Sequence, residues 1–249
     1  MTLEPLVIEQ VSKNFEGLQA LTHIDLHIQP GERRVVIGPN GAGKTTLFNI
    51  VSGLIPPSSG RVFLSGKNVT KWPPHKRASL GLGRTFQITN LFSRLTVHEN
   101  LLLSLKAVDT NRQFPLTPLV SYKHLCSRAE DLLNQSGLWK RRNVTVRNLS
   151  YGEQRLVEVV MALAQDPKLL LLDEFTSGLS STEIVTVISV LKSLSREITL
   201  LLIEHDMDVA FEIGEFFTVL HMGQVFAEGS LNQIKSNNGV QEIYLGKRQ

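Results

Sequence analysis

The feature that most constrains the fold is a short apolar run that leads through a glycine-rich loop into a helical pattern. Val35, Val36 and Ile37 are all β-branched, which is typical of a strand buried on both faces. Gly38 to Thr45 follow directly, and a helical pattern begins at Thr45. A buried strand joined to a helix in this way predicts a mainly parallel α/β sheet, with the loop at the carboxyl edge of its strands.

The loop itself has the chemistry of a phosphate-binding site. It matches the pattern G-x-x-x-x-G-K-[ST] in the required context, between a strand and a helix. Its glycines allow backbone N–H groups to surround phosphates, and the helix N-terminus adds a partial positive charge. We therefore expect Lys44 to bind the β- and γ-phosphates and Thr45 to bind Mg²⁺. The nucleotide-contacting residues predicted here are Gly38, Pro39, Asn40, Gly41, Ala42, Gly43, Lys44, Thr45 and Thr46.

Two acidic residues follow a second apolar run. Asp173 and Glu174 come directly after Leu169–Leu172, so they are expected at the carboxyl end of a core strand beside the phosphate loop. A nucleotide-bound metal needs a carboxylate, and an attacking water needs a group that orients it. We assign Asp173 to Mg²⁺ and Glu174 to the water. A helix cap is the alternative when the two acids are considered alone.

The rest of the chain predicts three structural parts. The apolar run Leu6–Ile8, the period-two pattern of Ile24, Leu26 and Ile28, and a short strand pattern at 61–64 indicate an N-terminal antiparallel β layer. Helical leucine spacing over 97–106 and 123–135 indicates an inserted helical subdomain. Strands and helices then alternate, ending in a hairpin at Met222–Gly223. We predict an ATP-binding core at 1–87 and 151–249, and a helical subdomain at 88–150.

Composition limits where the protein works and what it contacts. The 26 basic and 23 acidic residues give a net charge of +3, and the basic run at residues 140–142 is interpreted as a solvated helix end rather than a nucleic-acid site. The first residues lack the pattern of a secretory signal, and the longest apolar runs are too short to cross a bilayer. We expect a cytoplasmic protein that reaches the membrane through a partner. The single cysteine, Cys126, excludes an internal disulfide.

A hexapeptide, Leu149–Gln154, decides between classes of phosphate-loop protein. Ser150 with Glu153 three residues later forms a capping-box pattern that begins a helix. The same hexapeptide resembles the signature motif of ABC ATPases. Together with it, an ordered series of motifs across nearly the whole chain resembles that family's set: Phe15, Gly38–Thr45, Gln87, Ser150–Gln154, Asp173–Glu174 and His205.

This resemblance implies roles for the remaining residues. Gln87 would contact the metal or the water, His205 would bond the γ-phosphate, and Phe15 would stack on adenine, although a core phenylalanine is an open alternative. Ser150, Gly152, Glu153 and Gln154 would hold the ATP bound to a second subunit, so that ATP lies between two chains. The resemblance therefore implies an ATPase with catalytic residues Glu174, His205 and Gln87, metal-binding residues Thr45, Gln87 and Asp173, and the cofactors ATP and Mg²⁺.

Finer features resemble the ATPases of branched-chain amino acid importers and their urea and amide relatives. These features are Tyr151, Arg84–Gln87, Leu95–Leu101, Ile203–Met207 and Tyr244–Gly246. The partners implied are a second ATPase subunit, identical or paralogous, two transmembrane permeases and an external solute-binding protein, with no nucleic acid. The chain would then lie peripherally on the cytoplasmic face of the inner membrane. Another ABC transporter, or a nucleotide-binding module without turnover, remains the alternative.

Two positions depart from the pattern of the resembled family. The family usually has proline after the catalytic glutamate and Asp or Asn at the last position of the following loop, whereas this chain has Phe175 and Ser180. In the family this loop crosses the dimer interface, so these departures would alter the coupling between two ATP sites.

Apolar groups near Gln87 offer a surface to a permease, with burial in the core as an equal alternative; they are Ile88, Leu91, Phe92 and Leu95.

Overall fold

The computed structural model describes residues 3–85, 91–109 and 121–245, and the predicted residues Gln87 and Ile88 lie outside these ranges. The chain divides into two compact units. The first unit consists of Met1–Arg84, Lys168–Glu174 and Leu194–Gln249. The second unit consists of Thr85–Pro167 and Phe175–Ser193.

The described residues of the first unit form two sheets. Their strands are β1 (Leu6–Phe15), β2 (Leu18–Ile28), β3 (Arg33–Ile37), β4 (Ser59–Leu64), β5 (Lys67–Asn68), β6 (Leu82–Arg84), β7 (Leu169–Asp173), β8 (Thr199–Ile203), β9 (Phe216–His221) and β10 (Gln224–Ser230). One sheet is antiparallel, with strand order β2-β1-β4-β5. Alternate side chains of β2 are buried, as expected for a layer with one exposed face. The predicted antiparallel layer is confirmed.

The second sheet has the order β10-β9-β3-β8-β7-β6 and is parallel except for the terminal β9–β10 hairpin. Every residue of β3, β7 and β8 is buried, because these strands lie in the interior of the sheet. Asp173 pairs in register with Ile203, and Val36 also pairs with Ile203. The carboxyl ends of β3, β7 and β8 therefore meet at one edge, as the sequence predicts.

Five helices accompany these sheets in the described part of the first unit. They are α1 (Lys44–Ser52), α2 (Pro74–Ala78), α7 (Met207–Ile213), α8 (Leu231–Ser236) and α9 (Asn238–Leu245). Leu47, Phe48, Ile50 and Val51 of α1 belong to one apolar core with residues of both sheets. Burial of this face fixes α1, and with it the phosphate loop, against the strand edge.

The second unit is helical, with α3 (Val97–Val108), α4 (Lys123–Gln135), α5 (Tyr151–Leu163) and α6 (Ser181–Ser193). α3 packs on α4 and α5, and α5 packs on α6. Capping boxes at Thr96 with Glu99 and at Ser150 with Glu153 begin α3 and α5. Across the described ranges of both units, no helix has the length and apolarity needed to span a membrane.

Candidate functional site

The loop between β3 and α1 has a backbone that requires glycine at two positions. Gly43 has φ 102°, and a Cβ there would lie 2.6 Å from Leu21 Cδ2. A Cβ at Gly38, which has φ 153°, would lie 2.2 Å from the carbonyl oxygen of Leu220. No side chain caps the N-terminus of α1, so its first N–H groups remain available to an anion.

Lys44 lies within this loop and is 5% exposed. Its Nζ donates hydrogen bonds to the carbonyl oxygens of Gly38, at 2.7 Å, and Pro39, at 3.0 Å. Burial lowers the pKa of the Lys44 ammonium, while the carboxylates of Glu174 and Asp173 act in the opposite direction. An ammonium has three N–H donors, and these two bonds leave one of them for a phosphate oxygen.

Asp173 ends β7 at the same strand edge and is 1% exposed. Its Oδ2 accepts a hydrogen bond from Arg84 Nη2 at 3.3 Å, whereas its Oδ1 is buried without a hydrogen-bond partner among the described residues. Burial raises the pKa of the Asp173 carboxyl, and the Arg84 guanidinium opposes this shift. A buried oxygen of this kind costs free energy unless a cation or donor binds it, so the residue fits a metal ligand.

A Mg²⁺ ion bound with a nucleotide needs few ligands from the protein besides Asp173. Mg²⁺ bound with nucleotide is usually held by one or two protein oxygens, the phosphates and water. Thr45, at the start of α1, is exposed and lines a cleft of the first unit. Within the described ranges no three His, Cys, Asp or Glu side chains cluster as a metal site. Asp173 and Thr45 carry oxygen atoms of the kind that Mg²⁺ prefers as ligands.

Glu174 and His205 lie together just beyond the ends of β7 and β8. His205 Nε2 is 2.5 Å from Glu174 Oε1. Glu174 has φ 46°, a left-handed conformation that a non-glycine residue rarely adopts, and its N–H bonds the carbonyl oxygen of Ile203 at 2.9 Å. Strain of this kind is common at functional sites. The side chains are 22% exposed for Glu174 and 45% for His205, so both are accessible from solvent.

A cleft of about 340 Å³ in the first unit is lined by Lys44, Thr45, Glu174 and His205, whereas Asp173 is not among its lining residues. Phe15 lies at its border, 43% exposed, with Lys13 Nζ 4.9 Å from the ring centroid. The open alternative of a core phenylalanine is therefore wrong. The residues lining the cleft are Phe15, Leu18, Gln19, Ala20, Asn40, Gly41, Ala42, Gly43, Lys44, Thr45, Thr46, Glu174 and His205. The cleft joins an exposed aromatic ring, the glycine-rich loop and three ionisable side chains, those of Lys44, Glu174 and His205.

The signature segment lies in the second unit, at the N-terminus of α5. Ser150 Oγ accepts from Glu153 N at 3.1 Å, and Glu153 Oε2 accepts from Ser150 N at 3.0 Å, which confirms the predicted capping box. Gln154 Nε2 donates to the carbonyl oxygen of Leu149 at 3.1 Å. Arg141 Nε also contacts Glu153 Oε1, at 2.7 Å.

Arg84 and Glu183 contact predicted site residues directly but are missed by the sequence analysis of the site. Arg84 bonds Asp173 from a different strand. Glu183 of α6 accepts a hydrogen bond from Ser150 Oγ at 2.8 Å. Glu183 lies three residues after Ser180, a capping-box spacing, but nothing local in the sequence indicates its contact with Ser150. Phe175, the departure from the family pattern, is 2% exposed.

Comparison with known proteins agrees with this geometry. Residues 21–177 match the protein family described as ABC transporter. The chain is 34% identical to the probable branched-chain amino acid transport ATP-binding protein LivG of Archaeoglobus fulgidus, over 97% of this chain and 95% of that protein. It is also 34% identical to the high-affinity branched-chain amino acid transport ATP-binding protein LivG of Escherichia coli, over 98% and 99% of the two chains.

Solved structures show the same fold. An ATP-binding cassette of an ABC transporter in its ADP conformation has a TM-score of 0.84 and 29% identity, covering 99% of this chain and all of that chain. The dimeric structure of a cassette in a post-hydrolysis state, bound to ADP and Pi, has a TM-score of 0.79 and 28% identity, covering 91% and 98%. The chain therefore belongs to the ABC transporter family, as one of its ATP-binding subunits.

Proposed function

We propose that the chain hydrolyses ATP at the cleft of the first unit and uses this reaction to power a membrane importer. One observation carries the catalytic part: Lys44, Glu174 and His205 line the same cleft, beside the buried carboxylate of Asp173. Phosphoryl transfer requires phosphate binding, a metal ligand and a group that orients water. In this proposal, Lys44, Asp173 and Glu174 supply these three functions at the carboxyl edge of the parallel sheet.

The residues divide the chemistry between them. Phe15 offers its exposed ring to adenine, while the loop N–H groups and Lys44 bind the phosphates. Mg²⁺ bound with the nucleotide supplies charge neutralisation at the phosphates, and Asp173 with Thr45 would hold it. Glu174 orients the attacking water, and His205, whose Nε2 is 2.5 Å from Glu174 Oε1, bonds the γ-phosphate. Gln87, predicted to contact the metal or water, is part of the same proposal.

We further propose that the ATP is shared between two subunits. Ser150 and Gly152 stand at the N-terminus of α5, where a hydroxyl and an N–H can bind a γ-phosphate from the opposite subunit. ATP bound by both subunits would favour the closed dimer, and hydrolysis would remove that preference. The dimeric cassette among the similar solved structures supports this arrangement.

The transported solute is proposed from the relatives. Several proteins with 33–34% identity are named as branched-chain amino acid transport ATP-binding proteins. We propose a branched-chain or other hydrophobic amino acid, with urea or amides as the second candidate. The chain would work peripherally at the cytoplasmic face of the membrane, with two permeases and an external binding protein. Phe92, which is 57% exposed, and the partly buried Leu91 and Leu95 are proposed to face the permease.

Replacement of the proposed water-orienting group tests the catalytic part. Glu174→Gln keeps the size of the side chain but removes its charge, so steady-state ATPase activity should fall by roughly 10²–10⁴-fold while ATP binding persists. Glu130→Gln, on the exposed face of α4, is the matched control and should retain activity. Unchanged turnover in Glu174→Gln would exclude the assigned role.

Purification of the chain with its native membrane partners tests the transport part. Two permeases and a second ATPase subunit should remain associated, and reconstituted vesicles should take up a hydrophobic amino acid in the presence of ATP. Association with an exporter permease would reject the importer assignment. The assignment of ATP hydrolysis would then stand on the Glu174→Gln result alone.

A further inference from the structure

The N-terminus of α5 holds a carboxylate from the same chain. Glu183 Oε1 accepts hydrogen bonds from Ser150 Oγ, at 2.8 Å, and from Gly152 N, at 3.2 Å. Its second oxygen, Oε2, accepts from Ser180 N at 2.9 Å and from Ser180 Oγ at 2.7 Å. Oε2 therefore caps α6, and Oε1 accepts hydrogen bonds from the hydroxyl and the backbone N–H at the N-terminus of α5.

The approach of this carboxylate depends on the absence of a side chain at Gly152. A Cβ on Gly152 would lie 2.2 Å from Glu183 Cδ and 2.3 Å from Glu183 Oε1. Hydrogen bonds from the Ser180 backbone, from the hydroxyls of Ser180 and Ser150 and from the Gly152 backbone lower the pKa of Glu183 to about 2. Glu183 is therefore ionised at neutral pH, and an anion lies at the helix N-terminus.

A carboxylate and a phosphate compete for such donors because a serine hydroxyl has one hydrogen and a backbone amide has one hydrogen. We propose that Glu183 is an internal anion that occupies the signature segment of the free subunit and must leave Ser150 and Gly152 before a γ-phosphate can bind there. This inference rests on the proposed function, in which these donors bind ATP held by the opposite subunit. Glu183 thereby raises the ATP concentration at which two subunits close.

The two contacts of Glu183 can be separated by experiment. The bonds of Oε2 to Ser180 form a local helix cap, and glutamine also serves in a capping box. Glu183→Gln therefore preserves the cap of α6 and the size of the side chain. It removes the negative charge that competes with phosphate, and charge-assisted hydrogen bonds are roughly twice as strong as neutral ones.

The test measures ATP-driven association by sedimentation velocity in a Glu174→Gln parent, in which hydrolysis is blocked. Addition of Glu183→Gln should lower the ATP concentration at half-maximal association by about tenfold. The neutral amide binds the Ser150 hydroxyl and the Gly152 N–H more weakly than the carboxylate does, so phosphate displaces it more readily. Glu130→Gln in the same parent removes an equal charge from α4 and should leave the midpoint unchanged. A midpoint for Glu183→Gln equal to or above that of Glu130→Gln would overturn the inference.

A second measurement tests the contact without any dimer. Carbon-13 NMR of the Glu183 carboxyl in the free subunit should report a pKa near 2, and Ser150→Ala should raise this pKa. No change on Ser150→Ala would also overturn the inference, because Ser150 would not be bound to Glu183. Failure of the proposed function has a different signature: the Glu174→Gln parent would not associate at any ATP concentration.

Discussion

Arg77 of α2 is expected to be one of the strongest single contributors to the stability of the first unit. It is 1% exposed, and its guanidinium donates to four carbonyl oxygens: Trp72 at 3.0 Å, Ile50 at 2.6 Å, Val51 at 2.7 Å and Thr70 at 3.2 Å. Two of these carbonyls belong to the last turn of α1, where a cation also interacts favourably with the helix dipole. Burial lowers the pKa of Arg77 to about 10.

The loss of stability expected on replacing Arg77 can be calculated from these four hydrogen bonds. A net contribution of about 1 kcal/mol for each bond gives ~4 kcal/mol, so Arg77→Met should lower the free energy of unfolding by about 3–5 kcal/mol. Methionine fills much of the volume but donates no hydrogen bond, which leaves the carbonyls of α1 buried without this donor. Water has little access to replace it, because the site is almost fully buried.

Urea unfolding followed by far-ultraviolet circular dichroism measures this change. The matched control is Arg128→Met, because Arg128 is 45% exposed and pairs with the exposed Asp166. That variant should remain within about 0.5 kcal/mol of the parent. A difference between the two variants below about 1 kcal/mol would refute the reasoning that the carbonyl bonds of Arg77 stabilise the fold.

Two further predictions concern the proposed nucleotide site. Asp173→Asn should raise the Mg²⁺ concentration needed for half-maximal ATPase activity by at least about tenfold, since the amide is a weaker metal ligand than the carboxylate; an unchanged Mg²⁺ titration would contradict the metal role. Phe15→Ala should weaken ATP binding about 5–10-fold through loss of ~1 kcal/mol of base stacking. Phe15→Trp should retain binding, and a fluorescent-nucleotide titration in which Phe15→Ala matches the parent would contradict stacking.

Much of the fold could be predicted because its signals are local. The β-branched residues of β3 and the leucines of β7 indicate strands buried on both faces, and all of them are buried. The helix predicted over 123–135 has those bounds as α4. The predicted division into 1–87 with 151–249 and 88–150 stays a prediction, as do the roles of the individual site residues.

Some parts of the candidate site could be predicted from neighbouring residues in the sequence, whereas others depend on contacts between distant residues. Spacing along the chain is sufficient for the phosphate loop and for the Ser150 capping box, because the groups concerned lie within a few residues of each other. Strand order then brings Glu174 to His205. The alternation of strands and helices predicts this meeting in general terms, because the carboxyl ends of parallel strands lie at one edge.

The sequence alone determined the type of fold, the phosphate loop and the order of the motifs, because each depends on the residue types within a short segment. Only the tertiary structure decided which distant side chains meet them: Arg84 with Asp173, and Glu183 with Ser150 and Gly152. The physical reason is that these contacts connect different strands or helices. Their distances depend on how the elements pack, and no periodicity within one element records that packing.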